Sequence, residues 1–389
     1  MEKNMDLTTQ IERAAQIFRA LLTEQAERAL AMHDVPPRDY MKAPVRIGLI
    51  GGDGIGPLLL AQARRLLSVL VGEELAAGSL VLVPMEGLTI EHRLATGDTL
   101  PPGVLAEVKT CDVLLKGPTT TPKGGTLESA NVALRRELDL YANVRPVRVP
   151  EAGIDWVFFR EYTEGEYTLG ARGVSLPGAL AVDFKVTTVP GTRRVARAAF
   201  AYARANGKRR VAIVTKANIM KGTDGLFSDL AHEVAADYPE ITAEDWYVDI
   251  AAAHLIDPAV QADFQVFLLP NLYGDILTDE AAQLQGGVGT AGSANVGDRY
   301  AMFEPIHGSA PRMIAAGLGE YADPGSMFRA VEMLLRHIGR HTAADRLDRA
   351  LNRCAAERRL AVTGTKEGAT TRAFTDYVLE TLGSSADGI

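Results

Sequence analysis

Three groups of side chains in this sequence have types and spacings that could do chemistry. The first is basic: Arg135 and Arg145 are expected to flank a helix, and Arg160 ends a short apolar run that reads as a strand. Guanidinium groups grip carboxylates in a two-pronged fork, so converging arginines suit a substrate with several carboxylates. Ser129 and Asn131 lie just ahead of Arg135 and could add neutral hydrogen bonds. The arginines at 135 and 136 could equally solvate a helix face.

The second group is acidic. Asp275 and Asp279 stand four residues apart behind the apolar strand Val266–Leu269, so a helix starting there would put both carboxylates on one face. Strand ends of this kind are favoured ligand positions in open α/β sheets, and paired carboxylates suit a hard cation such as Mg²⁺ or Mn²⁺. Alternatively, acids in a first helical turn complement the helix dipole. The third group is a possible acid/base pair: Tyr167, and Lys216 just past the strand Val211–Thr215. A lysine at a strand end beside other cations could lose its proton more readily and act as a base.

The elements that must position these groups follow from the hydrophobic pattern. Residues 1–42 form an N-terminal extension, in which Ile11, Ala14, Ile17, Phe18, Leu21 and Leu22 recur at helical spacing ahead of Pro36-Pro37. Val45–Ile50 reads as a strand, followed by Gly51-Gly52-Asp53-Gly54-Ile55-Gly56 and by Pro57 at a helix start. The dinucleotide fingerprint G-x-G-x-x-G would need a glycine where Pro57 stands, so these glycines are read as a tight strand-to-helix turn. Further strands are expected at Leu80–Val83, Val113–Leu115, Trp156–Phe159, Val211–Thr215 and Val266–Leu269. Helices are expected at Arg193–Ala205, Gly225–Ala236, Met327–Ile338 and Ala343–Ala355. The alternation predicts an α/β fold with a largely parallel sheet.

Composition narrows the classes. At about 150 residues per domain, a chain of 389 residues holds two domains or one large α/β unit. Hydrophobic residues at 47% and charged residues at 23% exclude a disordered chain. The 49 acidic against 41 basic side chains give a net charge of −8, which argues against nucleic acid as a partner. No apolar run approaches the length of a membrane span. The amino terminus does not read as a targeting segment, and Cys111 and Cys354 are too few for a disulfide framework, so a cytoplasmic protein is expected.

The order of the motifs along the chain adds a resemblance. Gly52-Asp-Gly-Ile-Gly56 and Lys116-Gly-Pro-Thr-Thr-Thr-Pro-Lys-Gly-Gly125 come first. Then follow Ser129-x-Asn131-Val-x-Leu-Arg135, Leu140-Tyr-Ala-Asn-Val-Arg145-Pro-Val-Arg148 and Arg160-Glu-Tyr-Thr-Glu-Gly-Glu-Tyr167. Lys216-Ala-Asn-Ile-Met-Lys221, Asn271 to Asp279 and Phe303-Glu-Pro-Ile-His-Gly-Ser-Ala-Pro311 complete the series. Over roughly residues 45–375 this series resembles the isocitrate and isopropylmalate dehydrogenases, which are metal-dependent β-decarboxylating dehydrogenases. The extension at 1–42 lies outside it. Ser129, Asn131 and Arg135 resemble the isocitrate branch, where isopropylmalate enzymes carry apolar residues, and a third substrate carboxylate would need such polar partners.

The resemblance implies an isocitrate/isopropylmalate dehydrogenase-like fold. A large α/β domain (43–140 and 286–389) would be joined by a smaller α/β domain (141–164 and 189–285) with a short dimer arm (165–188). It implies oxidative decarboxylation of isocitrate to 2-oxoglutarate and CO₂, with Arg135, Arg145 and Arg160 clamping the tricarboxylate alongside Ser129 and Asn131. Asp249, Asp275 and Asp279 would hold Mg²⁺ or Mn²⁺, Lys216 would help take the hydroxyl proton, and Tyr167 would protonate the enolate. Lys216 and Asp249 would come from the neighbouring subunit of a homodimer. The nucleotide would lie along Thr120, Thr121, Glu304, His307, Gly308, Ser309, Ala310, Arg312 and Asp323.

The sequence also departs from the family pattern. Tyr162 stands where asparagine is usual, Glu128 precedes Ser129 where it could repel an anion, and Gly292 replaces a proline. The stretch Arg312–Asp323 is longer than usual, and Tyr321-Ala-Asp-Pro324 replaces Ala-Asn-Pro. Arg312 could meet the 2′-phosphate of NADP where NAD-specific relatives place an aspartate. Against that, Val362-Thr-Gly-Thr-Lys366 lacks a tyrosine found in many NADP-specific relatives, so NADP and NAD both stand, with NADP favoured. Isopropylmalate, homoisocitrate or a tartrate-like acid are alternative substrates, and a non-catalytic regulatory relative is the alternative outside enzymes.

Overall fold

A computed structural model describes residues 7–33, 35–36, 38–42, 44–122, 127–169, 172–176, 178–287 and 290–384. Pro37 and the segment Lys123-Gly124-Gly125 lie outside the described residues. A long helix α1 (Leu7–Ala31) leads to β1 (Val45–Ile50), α2 (Gly56–Leu70), α3 (Gly72–Ala76), β2 (Leu80–Met85), α4 (Ile90–Thr96), α5 (Pro102–Val108), β3 (Val113–Lys116) and α6 (Ala130–Glu137). The middle of the chain gives β4 (Ala142–Val149), β5 (Ile154–Glu161), β6 (Val174–Leu176), β7 (Leu180–Val182), α7 (Val189–Ala205), β8 (Arg210–Thr215), α8 (Thr223–Ala235), β9 (Thr242–Tyr247), α9 (Val248–Leu255) and β10 (Val266–Leu269). The remainder is α10 (Asn271–Leu284), β11 (Gly292–Val296), β12 (Ala301–Pro305), α11 (Pro311–Ala315), α12 (Gly325–His337), α13 (His341–Glu357) and α14 (Thr371–Ser384).

The chain divides into two units, one of residues 36–147 and 279–389 and the other of residues 1–35 and 148–278. In the first, the strands run in the order β2-β1-β3-β12-β11-β4. β1 is parallel to β2 and β3, and β3 to β12, whereas β11 is antiparallel to both of its neighbours. Alternate residues feed two cores. Leu49, Val113, Leu115 and Phe303 pack with α2 and α12–α14, and Ile50, Leu114 and Met302 pack with Val104, Val108 and Leu134. A sheet covered on both faces explains why its strands read as unbroken apolar runs.

The glycine turn after β1 is a packing device. Gly52 and Gly54 adopt φ of +68° and +60°, and a Cβ on Gly54 would lie 1.9 Å from the Ser309 carbonyl oxygen. Only glycine tolerates both demands. Ile55 donates to that carbonyl across 3.1 Å, and Asp53 N–H donates to the Pro118 carbonyl across 2.7 Å, so the turn locks three loops together.

In the second unit β5, β10, β8 and β9 are all parallel, in that order. Aromatic packing fills its core, with Phe158 stacked on Phe267 at 4.3 Å and Trp156 edge-on to Phe267 at 5.6 Å. β6 and β7 form a separate antiparallel hairpin. The expected N-terminal helix is α1, but of its six predicted apolar positions only Leu21 is buried. α1 packs against β6 and α7, which leaves Ile11, Phe18 and Leu22 exposed.

One placement is corrected. Arg135 and Arg145 do not flank a helix: Arg135 lies inside α6 and Arg145 inside β4. The chain turns between them at Asp139, whose φ is +48°, a left-handed conformation that ends the helix.

Candidate active site

In the unit of β5 and β10, three predicted residues come together. Arg160, at the end of β5 and 1% exposed, is ion-paired to Asp275 on α10. Its Nε and a terminal nitrogen both donate to Asn271 Oδ1, at 2.8 and 2.6 Å. α10 can approach so closely because residue 274 is glycine, where a Cβ would fall 2.5 Å from Arg160 Cγ. Tyr167 donates its hydroxyl hydrogen to Asp275 Oδ2 across 2.6 Å. The guanidinium also lies near the rings of Tyr162 and Tyr167, 4.8 and 5.2 Å from their centroids. Tyr162 therefore contributes a cation–π face where an asparagine would have offered an amide.

Beneath this cluster sits an acidic pair that the sequence reading did not single out. Glu161 is buried and accepts from Thr163 N and Oγ1 at 2.8 and 2.7 Å and from Glu164 N at 2.7 Å. Burial, followed by the neighbouring Glu164 charge, pushes its carboxyl up to about 7. The Glu164 carbonyl accepts from Asn271 Nδ2 at 2.8 Å, tying this turn to the Arg160 partner.

A second group in the same unit pairs Lys216 Nζ with Asp249 Oδ1 at 2.5 Å. Asp249 lies in the first turn of α9, and the Lys216 hydrogen bond holds its carboxyl below the usual range. The Lys216 backbone N–H donates to Asp224 Oδ2 at 2.7 Å, and Asp224, fully buried, is paired with Lys185 at 2.5 Å. Among the described residues, no three His, Cys, Asp or Glu side chains gather as a metal group.

The other unit holds the remaining predicted residues. Arg145 donates to Asp279 at 3.0 Å, and Asn131 Oδ1 accepts from Thr119 Oγ1 at 2.9 Å. Ser129 is the N-cap residue of α6, yet its hydroxyl makes no capping hydrogen bond. Asn131 and Arg135 follow on α6 and are half-buried. Glu128 is exposed and lies 3.5 Å from Arg136, which partly offsets its charge.

Around the glycine turn, the Thr120 and Ser309 hydroxyls lie 2.7 Å apart, and Thr120 N–H donates to Asp53 at 2.6 Å. Arg93, fully buried, donates to the Thr120 carbonyl at 2.5 Å. Glu304 is nearly buried: one oxygen accepts from Lys116 at 3.1 Å and the other from Asn295 at 2.8 Å. Burial opposes its charge, but Lys116 and Arg135 outweigh that and hold its carboxyl low. Burial lowers His307, with the Gly308 carbonyl and Asp323 opposing, and Asp323 accepts from Gly325 N–H at 2.8 Å. Thr121, Gly308 and Arg312 are exposed, and Ala310, at φ +49°, precedes α11. Asp53, Arg93, Lys116, Glu161, Glu164, Asp224 and Asn271 were not predicted. Burial beside apolar runs was the available signal for Lys116 and Glu161, which end the strands β3 and β5.

The profile of the isocitrate/isopropylmalate dehydrogenase family matches residues 46–378, and the chain belongs to that family of NAD(P)-using, metal-dependent oxidoreductases. Its relatives carry both family names at similar distance. A probable isocitrate dehydrogenase [NAD] subunit alpha of Drosophila melanogaster is 37% identical over 323 residues, covering 80% of this chain and 81% of the relative. A 3-isopropylmalate dehydrogenase of Mycobacterium tuberculosis is 38% identical over 345 residues, covering 84% and 97%. Among solved structures, isocitrate dehydrogenase from Methylococcus capsulatus superposes with a TM-score of 0.77 at 34% identity, covering 87% of this chain and 99% of that one.

Proposed function

We propose that this protein oxidises isocitrate to 2-oxoglutarate and CO₂, with NAD(P) taking the hydride. The observation that carries the choice of substrate is the polar edge of α6. Ser129 leaves its hydroxyl uncommitted to the helix, and Asn131 and Arg135 continue that edge. A third carboxylate would pair with these groups, whereas an alkyl group would strand them.

Arg135, Arg145 and Arg160 would grip the carboxylates, exchanging the Asp279 and Asp275 partners of the latter two for substrate. The partner subunit's Lys216 would help take the hydroxyl proton as hydride leaves the carbinol carbon for the nicotinamide. The bond to the β-carboxylate then breaks, CO₂ departs, and Tyr167 would protonate the enolate carbon left behind. Asp275 and Asp279, with Asp249 of the partner subunit, would supply carboxylate donors for Mg²⁺ or Mn²⁺, which when bound would acidify the hydroxyl and stabilise developing negative charge. Thr120, Thr121, Glu304, His307–Ala310 and Asp323 would line the nucleotide, and exposed Arg312 favours NADP. Two buried, free cysteines accord with a reducing, cytoplasmic setting.

Replacing both polar residues, Ser129→Leu with Asn131→Leu, tests the substrate directly. The kcat/KM for isocitrate is expected to fall at least about a hundredfold while that for isopropylmalate does not fall. An unchanged preference would contradict the reading.

A further inference from the structure

The helix α1 lies outside the segment that the family profile matches, yet it reaches the turn beneath Arg160. We propose that Arg28 of α1 is a positioning residue for the substrate-binding cluster, acting through Glu164, so that the N-terminal helix is part of the working site.

The Glu164 side chain is 3% exposed and sits beside a second buried acid, Glu161. A buried carboxylate is costly unless it is paired and hydrogen-bonded. Thr188 supplies neutral donors, its N–H at 2.8 Å and its hydroxyl. The guanidinium of Arg28, 3.0 Å from Glu164 Oε1, supplies the opposite charge. On the α7 side, Arg194 donates to Thr163 Oγ1 at 3.1 Å.

Arg28 is itself held in place. Its Nε donates to Oε1 of the buried Gln25 at 2.8 Å. α1 is fixed to the hairpin region by the two-pronged Arg172–Glu24 pair, at 2.7 and 3.0 Å, and by Phe18 against Phe184, centroids 5.2 Å apart.

The path onward is short and stiff. The Glu164 carbonyl accepts from Asn271 Nδ2, and Asn271 Oδ1 accepts two bonds from Arg160. Gly165, at φ +73°, presses on Asn271 so closely that a Cβ there would lie 2.9 Å from Asn271 Cβ. A shift of the Glu164 turn therefore moves Asn271, and with it the fork of Arg160. Misplacement by about an ångström is enough to weaken a bound geometry severely.

The test compares Arg28→Met, which keeps the apolar stem, with Arg28→Lys, which restores a charge, and with Glu12→Gln on an exposed part of α1. Hydrogen exchange followed by mass spectrometry reads the site whatever acid the enzyme uses. Arg28→Met is expected to lose protection in peptides spanning 159–167 and 270–276, and Arg28→Lys to regain most of it. Glu12→Gln should match the wild type. Changes confined to residues 7–31, or no change at all, would overturn the proposal.

The kinetic arm rests on the dehydrogenase reading and uses whichever 2-hydroxy acid the wild type oxidises. Arg28→Met should raise the KM for that acid about tenfold with kcat nearly unchanged and the nucleotide KM unmoved. Arg28→Met added to Glu164→Gln should have no further effect. Additive losses, or equal losses in both KM values, would overturn it. A wild type inactive on every acid would sink the substrate assignment while the exchange result still decides the role of Arg28.

Discussion

Tyr167 and Arg160 converge on one carboxylate: Asp275 accepts the tyrosine hydroxyl across 2.6 Å through one oxygen and is ion-paired to the guanidinium through the other. The residue proposed to donate the final proton is thus held by a group proposed to bind the cation. Arg145 and Asp279 repeat the pairing one helical turn along α10. Each arginine thus has an acidic partner within its own unit.

From this follows the behaviour of Tyr167→Phe. Protonation of the enolate comes after hydride transfer, so the variant should still give a rapid burst of about one reduced nicotinamide per site. Steady-state kcat should then fall about a hundredfold or more. Stopped-flow absorbance separates the two phases, and loss of the burst itself would place Tyr167 in an earlier step.

Glu161 makes a prediction about pH. Its carboxyl lies at about 7 against an ordinary 4.5, from burial first and the Glu164 charge second. The folded state therefore binds the proton more tightly than the unfolded chain. The stabilisation this gives is complete below about 4.5 and is lost as pH rises through about 7. Tm measured by calorimetry from pH 5 to 8 should carry that downward component, and Glu161→Gln should remove it. A slope unchanged in the variant would assign it to other groups.

The fully buried Lys116 faces Glu304, and each is the other's compensating charge. Lys116→Met leaves an unpaired buried carboxylate and should cost about 3–5 kcal/mol in urea unfolding. Adding Glu304→Gln should recover part of that loss, because the stranded charge is gone. Equal stability of the single and double variants would mean that Asn295 and Arg135 suffice for Glu304.

Some of this was legible in the residues. β1 and β10 match the expected Val45–Ile50 and Val266–Leu269 because both are four- to six-residue apolar runs buried on two faces. β4 was missed because Asn143, Arg145 and Pro146 interrupt its apolar pattern, although Asn143 is buried and bonded to Ser293 and Asn295 at 2.7 and 2.8 Å. β9 was missed because its surface is largely half-exposed, as suits a strand with one neighbour. The shared face of Asp275 and Asp279 followed from helical spacing alone. The Lys116–Glu304 pair spans 188 residues of sequence, and no local pattern encodes such a partner. Arg28 was hidden for the same reason, 136 residues from Glu164 on a helix whose exposed apolar stripe drew attention to the wrong face.

The most direct test of the account is nicotinamide reduction by the purified protein with Mn²⁺, crossing isocitrate, isopropylmalate, homoisocitrate and tartrate with NAD and NADP. Turnover of isocitrate is expected, lost with a chelator, with NADP the better acceptor. Turnover of isopropylmalate in its place, or of none of the four by the folded protein, would contradict this reading.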